Sequence, residues 1–546
     1  MTRLVPGISG GLLPSHYIAN RLLADAMPLD RQRCDQLAAR LSRWWTRVES
    51  TCGPATGMRG LFDAAAMPLA ALLGFRATTV VFDRLAARVR LETRRGAPVA
   101  CVLLPWADRQ TAAWRLAVDT AHRYNADWCL VFAPPYLSLL PAANTGVRRS
   151  LDVTFPEALT GDGVARLVAI AHADAFDAAE GAAATRIDVI VRAAAIFQDR
   201  VRADLQDGVL AALTAILPVV TPLPKAVTSF DQALTLLYRI LFLLFAESRG
   251  LLPVHHPIYG DTYAMKQLCR QALGAGGATG LWAGLAAITR LSRAGCRIDD
   301  LIVSPFNGRL FARSAAPTLE RRQPARGPTR SSARRDAALQ HALVALATRP
   351  TSGGREEICY ADLGVEQLGA VYERVLDLDP DDLQAPDCRR RPRGPRAHSA
   401  RRKQTGTFYT PQDLTEFVVR RTLAPLVEGR TADQILALRI VDPAMGSGAF
   451  LVAACRYLAG AYERALIDDG RCVGADIGPV ERAGIRRQIA EQCLAGVDVN
   501  PVAVQLARLS LWLATLSEGK PLGFLDRKST RLNSSHVSES RMPSSA

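Results

Sequence analysis

Lysine is scarce in this 546-residue chain: only five of its 67 basic residues are lysines, and the rest are arginines. With alanine also abundant, this reflects a coding bias, so the sign of the charge carries more information than the choice of arginine. Paired cysteines are missing as well. The eleven cysteines are scattered, none forms a CxxC pair, and no Cys/His set has zinc spacing. That excludes a disulfide scaffold and a structural zinc site, and leaves reduced thiols in a cytosolic protein. Residues 1–11 hold no apolar core segment of the kind a secretory signal needs. The most apolar run, 233–246 (ALTLLYRILFLLFA), is too short to span a bilayer and carries Arg239 within it. The sequence therefore predicts a soluble, cytoplasmic protein with no membrane partner and no metal site.

What is present is globular: 49% hydrophobic and 22% charged residues exclude a wholly disordered chain. The length is too great for one core, and at roughly 150 residues per domain three or four domains are expected. The formal charge is +15, and it is uneven. Residues 389–403 (RRRPRGPRAHSARRK) contain eight basic residues and no acid. Two prolines and a glycine interrupt this run, so it reads as a loop. A looser stretch, 313–335, is rich in Arg, Pro and Ser. Both are solvated linkers in the plainest reading, and both suit a phosphate backbone. Seven of the last twenty residues, 527–546, are serine, without apolar periodicity. This tail is expected to be non-native and is set aside from fold reasoning.

Along the chain, 79–82 (TVVF), 100–104 and 128–132 (WCLVF) read as strands, with a helix over 111–124 between the last two. An α/β front domain over 1–205 follows. Residues 230–248 and 363–376 (LGVEQLGAVYERVL) read as helices; Leu368, Val371, Tyr372 and Val375 share one face of the second. A helical domain is expected over 206–380, and a basic linker over 381–404.

Three words carry the chemistry. In 440–451 (IVDPAMGSGAFL) an apolar strand meets Asp442-Pro443, then a turn with Gly446 and Gly448, then a helix from about Ala449. The glycines permit positive φ and let a ligand lie against bare backbone. The helix start offers free N–H groups. The word is neither a GxGxxG dinucleotide fingerprint nor a P-loop. In 494–516 (LAGVDVNPVAVQLARLSLWLATL) a strand ends at Asp498, and Asn500-Pro501 opens a helix as N-cap and first residue. An acid at that strand end can accept hydrogen bonds from both ribose hydroxyls of a nucleoside. Asp476 is a rival, but it lacks the Asn-Pro helix start. In 405–411 (TGTFYTP), Thr410 can cap a helix whose first residue is Pro411, with Asp413 as its capping-box acid. Alone, that is only a well-made helix start.

In this order the three words resemble the adenine-N6 DNA methyltransferases of the gamma arrangement: TGTFYTP their motif X, DPAMGSGAFL their motif I, and GVDVNPVAVQLARLSLWLATL their motif II. The resemblance covers 405–526. It implies the N-terminal part of a Rossmann-like methyltransferase domain that uses S-adenosylmethionine. Tyr409, Thr410, Asp442, Pro443, Ala444, Gly446, Gly448 and Phe450 would line its methionine side, and Asp498 would hold its ribose. Residues 236–253 and 360–376 resemble helical segments of the type IIG fusions of methyltransferase and restriction functions, and the front domain resembles their nuclease-like domain. A nuclease centre needs acids and a lysine on adjacent strands to hold Mg²⁺. The strand at 100–104 (ACVLL) supplies neither, although Asp83 lies upstream, so the domain is expected to be degenerate. The fold expected overall is multidomain α/β: a nuclease-like α/β front, a helical middle and a partial methyltransferase domain.

The family's catalytic tetrad, Asn/Asp/Ser-Pro-Pro-Tyr/Phe, is absent after Leu516. Its polar side chain would accept the adenine amino protons while its aromatic ring stacks on the flipped base. The lookalike at 133–136 (APPY) lacks the acceptor and reads as a turn. The resemblance implies methyl transfer to adenine N6 of double-stranded DNA in a restriction–modification setting, with this chain a fragment that has no catalytic residue of its own. The alternatives are an RNA or protein methyltransferase sharing the cofactor half, and a DNA-binding module with a vestigial pocket. Oligomeric state, target sequence and cleavage activity are not legible.

Overall fold

The computed structural model describes residues 5–363, 410 and 412–515, except 27–30, 84–85, 108–111, 143–148, 179–183, 222–227, 275–278, 306–308, 322–328, 352–353, 473–476, 478 and 500. It separates into two compact units, Met1–Arg200 and Val201–Ala546. Helices of eight or more residues are numbered below with the strands.

The first unit is built on a mixed seven-stranded sheet. Its strands are β1 (Ile8–Gly10), β2 (Arg76–Phe82), β3 (Ala87–Glu92), β4 (Pro98–Leu103), β5 (Trp128–Ala133), β6 (Tyr136–Pro141) and β7 (Leu151–Thr154), in the order β1-β7-β6-β5-β4-β3-β2. Only β4 and β5 pair in parallel. A parallel pair needs a crossover, and α2 (Ala112–Arg123) lies between the two strands in sequence. Alternation along β4 divides the core. Val99, Cys101 and Leu103 join the cluster that holds Trp44 and Trp45 of α1 (Arg31–Thr51) and Leu167 of α3 (Gly163–Ala171). Ala100, Val102 and Leu104 join Ala117 and Ala121 of α2. Strand β2 lies at the sheet edge, and Val80, Val81 and Phe82 are exposed there.

Three details bear on the nuclease-like expectation. At one end of the β3–β4 pair, Ala87 lies opposite Leu103, and both are buried. Asp83 sits in the β2–β3 turn, where its backbone N–H donates to the Ala86 carbonyl at 2.8 Å and its carboxylate meets Arg88 Nε at 2.8 Å. No group of three or more metal-ligating side chains occurs among the described residues. The lookalike Ala133-Pro134-Pro135-Tyr136 closes the β5–β6 hairpin, with Ala133 paired to Tyr136.

The second unit begins within α4 (Arg186–Ile216) and centres on α5 (Ser229–Ser248). Thr228 and Asp231 form a capping box at the start of α5. Its length and composition would let it cross a bilayer, but 78% of the qualifying window is buried inside the fold, as in a core helix. Arg239 is fully buried on it, with Nε and Nη2 donating to the carbonyls of Leu310 (2.7 Å) and Ala312 (2.8 Å). Helices α6 (Met265–Leu273), α7 (Leu281–Ala294) and α8 (Arg330–Ala347) pack on one another, and α6 packs on α5. Two small hairpins accompany them, β8 (Cys296–Ile298) with β9 (Leu301–Val303), and β10 (Thr348–Thr351) with β11 (Gly354–Glu357).

The rest of the unit holds α9 (Gln412–Val427), β12 (Ile440–Asp442), α10 (Ala449–Asp468), α11 (Pro479–Cys493), β13 (Leu494–Gly496) and α12 (Pro501–Ala514). Helix α10 packs against α9, α11 and α12. Trp512 of α12 stacks on Phe242 of α5 at 4.4 Å between ring centroids, which ties this segment to the helical body. The helix read at 363–376 lies outside the described residues beyond Leu363, as does the basic run 389–403.

Candidate functional site

Strands β12 and β13 run parallel, with Ile440 opposite Leu494, Val441 opposite Ala495 and Asp442 opposite Gly496. Both strand ends therefore point the same way, and the two motifs meet there. The pairing continues past the strands: Val497 N–H donates to the Asp442 carbonyl at 2.9 Å, and Met445 N–H donates to the Val497 carbonyl at 3.1 Å. These bonds fold the Pro443–Ser447 turn over the end of β13.

Side chains complete the join. Gly446 N–H donates to Asp498 Oδ2 at 2.9 Å. Ala444 N–H donates to Asp442 Oδ1 at 3.1 Å, an Asx-type closure of the turn. Gly448 N–H donates to the Met445 carbonyl at 2.8 Å, and α10 starts at the next residue. Both glycines are left-handed, with φ +53° at Gly446 and +84° at Gly448, so L-residues would be strained at either position. Their surroundings differ. A β-carbon on Gly446 would meet nothing within 4 Å, whereas one on Gly448 would lie 3.0 Å from Cα and Cβ of Ala507.

The two carboxylates give the site its charge. Asp442 is half-buried, and its Oδ2 is buried without a hydrogen bond among the described residues. Burial pushes the Asp442 carboxyl up; the Ala444 N–H opposes this, and the nearby negative charge of Asp498 adds to it. A buried acceptor without a donor, next to bare glycine backbone and a second carboxylate, can take a cationic, hydrogen-bonding ligand.

Of the residues singled out in the sequence, Asp442, Pro443, Ala444, Gly446 and Gly448 form the turn itself, and Asp498 is bonded to it. Phe450 occupies the first turn of α10 and is half-buried. Thr410 is half-buried and precedes α9. Tyr409, Asp476 and Asn500 lie outside the described residues. Pro501 opens α12 as expected of a first helical proline. Sequence reasoning overlooked Ala507. Its only signal was the apolar spacing Ala503, Ala507, Leu511, all buried.

Comparison with known proteins bears on the segment that carries this site. Residues 396–521 match the family model described as N-6 DNA Methylase. This stretch is similar to that family. S-adenosylmethionine is the methyl donor that this family implies. Among curated proteins, the chain is 27% identical to a Methanocaldococcus jannaschii protein named as a type II restriction enzyme and methyltransferase, over 31% of this chain and 15% of the relative. It is 30% identical to the adenine-specific methyltransferase PglX of Streptomyces coelicolor, over 22% of this chain and 8% of the relative. The matches thus span less than a sixth of either relative. Among solved structures, it aligns with the type IIL restriction–modification enzyme MmeI in complex with DNA at 17% identity and TM-score 0.33, over 57% of this chain and 36% of that one. It aligns with the type IIG restriction endonuclease BpuSI at 10% identity and TM-score 0.26, over 85% of this chain and 40% of that one.

Proposed function

We propose that the cleft between the 442–448 turn and Asp498 holds S-adenosylmethionine for an adenine-specific DNA methyltransferase of restriction–modification type. The observation that carries this reading is the Gly446 N–H to Asp498 bond at 2.9 Å, which sets the glycine turn and the motif II acid side by side. The cofactor, when bound, supplies a sulfonium methyl group to the adenine amino nitrogen. The chain's part is to bind and orient it. Asp442 Oδ2, buried without a donor, would accept from the methionine ammonium. Asp498, held by the Gly446 N–H, would accept from the ribose hydroxyls. Gly446, bare on its free side, lets the methionine backbone approach. Thr410, Pro443, Ala444, Gly448 and Phe450 would complete the methionine side, and the resemblance adds Tyr409, which lies outside the described residues.

Within this reading, the segment is the N-terminal part of a Rossmann-like methyltransferase domain. The sequence carries no Asn/Asp/Ser-Pro-Pro-Tyr/Phe tetrad, and no residue of this chain is assigned to the transfer step. The first unit is read as a nuclease-like domain, degenerate as a cutter because the strand at 100–104 carries neither acid nor lysine and Asp83 is engaged by Arg88 in its turn. Double-stranded DNA is the partner, with the basic run 389–403 contributing phosphate contacts, and the compartment is the cytoplasm. Titration calorimetry of the full chain with S-adenosylmethionine tests the reading. Saturable binding at one site is expected, and no heat of binding would overturn it.

A further inference from the structure

We propose that Ala507 is a positioning residue for cofactor binding: it forms the seat of the glycine turn, and no side chain larger than that of serine is compatible with the turn's binding geometry. This inference rests on the reading of the cleft given above.

The turn is held at one glycine and open at the other. At Gly448 the backbone comes so close to α12 that an added β-carbon would lie 3.0 Å from Ala507 Cα, 3.0 Å from its Cβ and 3.4 Å from its carbonyl oxygen. Backbone meets backbone there, with only the alanine methyl between. Ala507 is 1% exposed, so a larger side chain at this position has no route to solvent. It must push either the turn or α12. The far side of α12 is not free to yield, because Trp512, five residues further on, is stacked on Phe242. Gly448 is also tied into the start of α10, since Val452 N–H donates to its carbonyl at 2.9 Å. The element left to move is the 443–447 turn, including Gly446 N–H and its bond to Asp498. Small displacements of a packed backbone are costly, and a misplaced turn loses its ligand contacts first.

Ala507 therefore connects two motifs that sequence places almost 60 positions apart. Helix α12 starts just after Asp498, which would hold the ribose, and two turns later it supports the turn that would hold the methionine. A bulky residue at 507 should damage methionine recognition more than nucleoside recognition.

The test compares S-adenosylmethionine and adenosine binding by calorimetry on the full chain and on Ala507→Ser, Ala507→Val, Ala507→Leu and Ala461→Leu. Ala461 is another buried alanine of the same unit, in the middle of α10, and controls for overpacking alone. Ala507→Ser should bind like the unsubstituted chain. Ala507→Leu should weaken S-adenosylmethionine about tenfold or more while adenosine changes less. Ala507→Val should fall between, and it carries the comparison if the leucine variant does not fold by circular dichroism. Ala461→Leu should lower the melting temperature without changing the ratio of the two affinities. If the unsubstituted chain binds neither ligand, the reading of the cleft fails. If it binds S-adenosylmethionine and the valine and leucine variants bind it equally well, or lose both ligands in the proportion seen for Ala461→Leu, the positioning role of Ala507 is overturned.

Discussion

Replacing Asp498 probes the cleft most sharply, because the same carboxylate supports the protein and faces the ligand. Its Oδ2 accepts the Gly446 N–H at 2.9 Å. In Asp498→Asn an amide oxygen can still take that bond, but the other acceptor becomes an NH2 group, which cannot accept a ribose hydroxyl's proton. A hydrogen bond to a charged group contributes about 1.5–3 kcal/mol, so the loss of one corresponds to roughly 10- to 100-fold in affinity. Asp498→Ala goes further. It removes every ribose acceptor and leaves the Gly446 N–H without its partner, at an added cost of about 1–3 kcal/mol if that group stays dry. The assay is calorimetry with adenosine and with 2′,3′-dideoxyadenosine, which lacks both hydroxyls. The unsubstituted chain should prefer adenosine clearly, and Asp498→Asn should abolish most of that preference. Both variants should lose S-adenosylmethionine affinity, the alanine more than the asparagine. Unchanged affinity in Asp498→Ala, or a ribose preference that survives it, would refute the reasoning.

Three further outcomes are expected. The Asp442 carboxyl is pushed up by burial, so acid should weaken S-adenosylmethionine binding at a higher pH than an ordinary aspartate would allow: the charged form holds the ammonium, and protonation removes it. Asp442→Asn should bind more weakly at neutral pH and lose that pH dependence, which a titration series at several pH values measures. The two glycines should respond differently to alanine. Gly446→Ala strains a φ of +53° in open space and should cost about 1 kcal/mol of stability, whereas Gly448→Ala adds a clash at 3.0 Å to a φ of +84° and should cost clearly more, as read from denaturant midpoints. Asp83→Ala should leave the response of plasmid DNA to the chain unchanged, since Asp83 is engaged with Arg88 in a turn; loss of a genuine cutting activity would reverse that view.

How much was legible follows from what each signal measures. The strands at 79–82, 100–104 and 128–132 were readable because they are apolar runs, and β5 is buried along its whole length. Strand β3 was missed because Ala87-Arg88-Val89-Arg90-Leu91-Glu92 alternates buried with half-buried residues, and the arginines mask the period of two. Strands β6 and β7 fell short of a convincing run. The start of α10 at Ala449 was read directly, since a glycine in the left-handed region before an apolar helix is a local signal. The join of Asp498 to Gly446 was anticipated only through order and resemblance. Local pattern carries no information on which strands pair, and here the parallel register of β12 and β13 decides it. The Ala507 contact was invisible for the same reason. So was the stack of Trp512 on Phe242, about 270 residues apart in sequence, which places the methyltransferase segment and the helical body in one unit.

Hydrogen exchange of the full chain with and without S-adenosylmethionine tests the central claim most directly, because it reports where a ligand sits as well as whether it binds. The account predicts slower exchange on ligand addition in peptides covering 442–450 and 497–504, with the first unit unchanged. Protection confined to other segments, or none at a saturating ligand concentration, would contradict it.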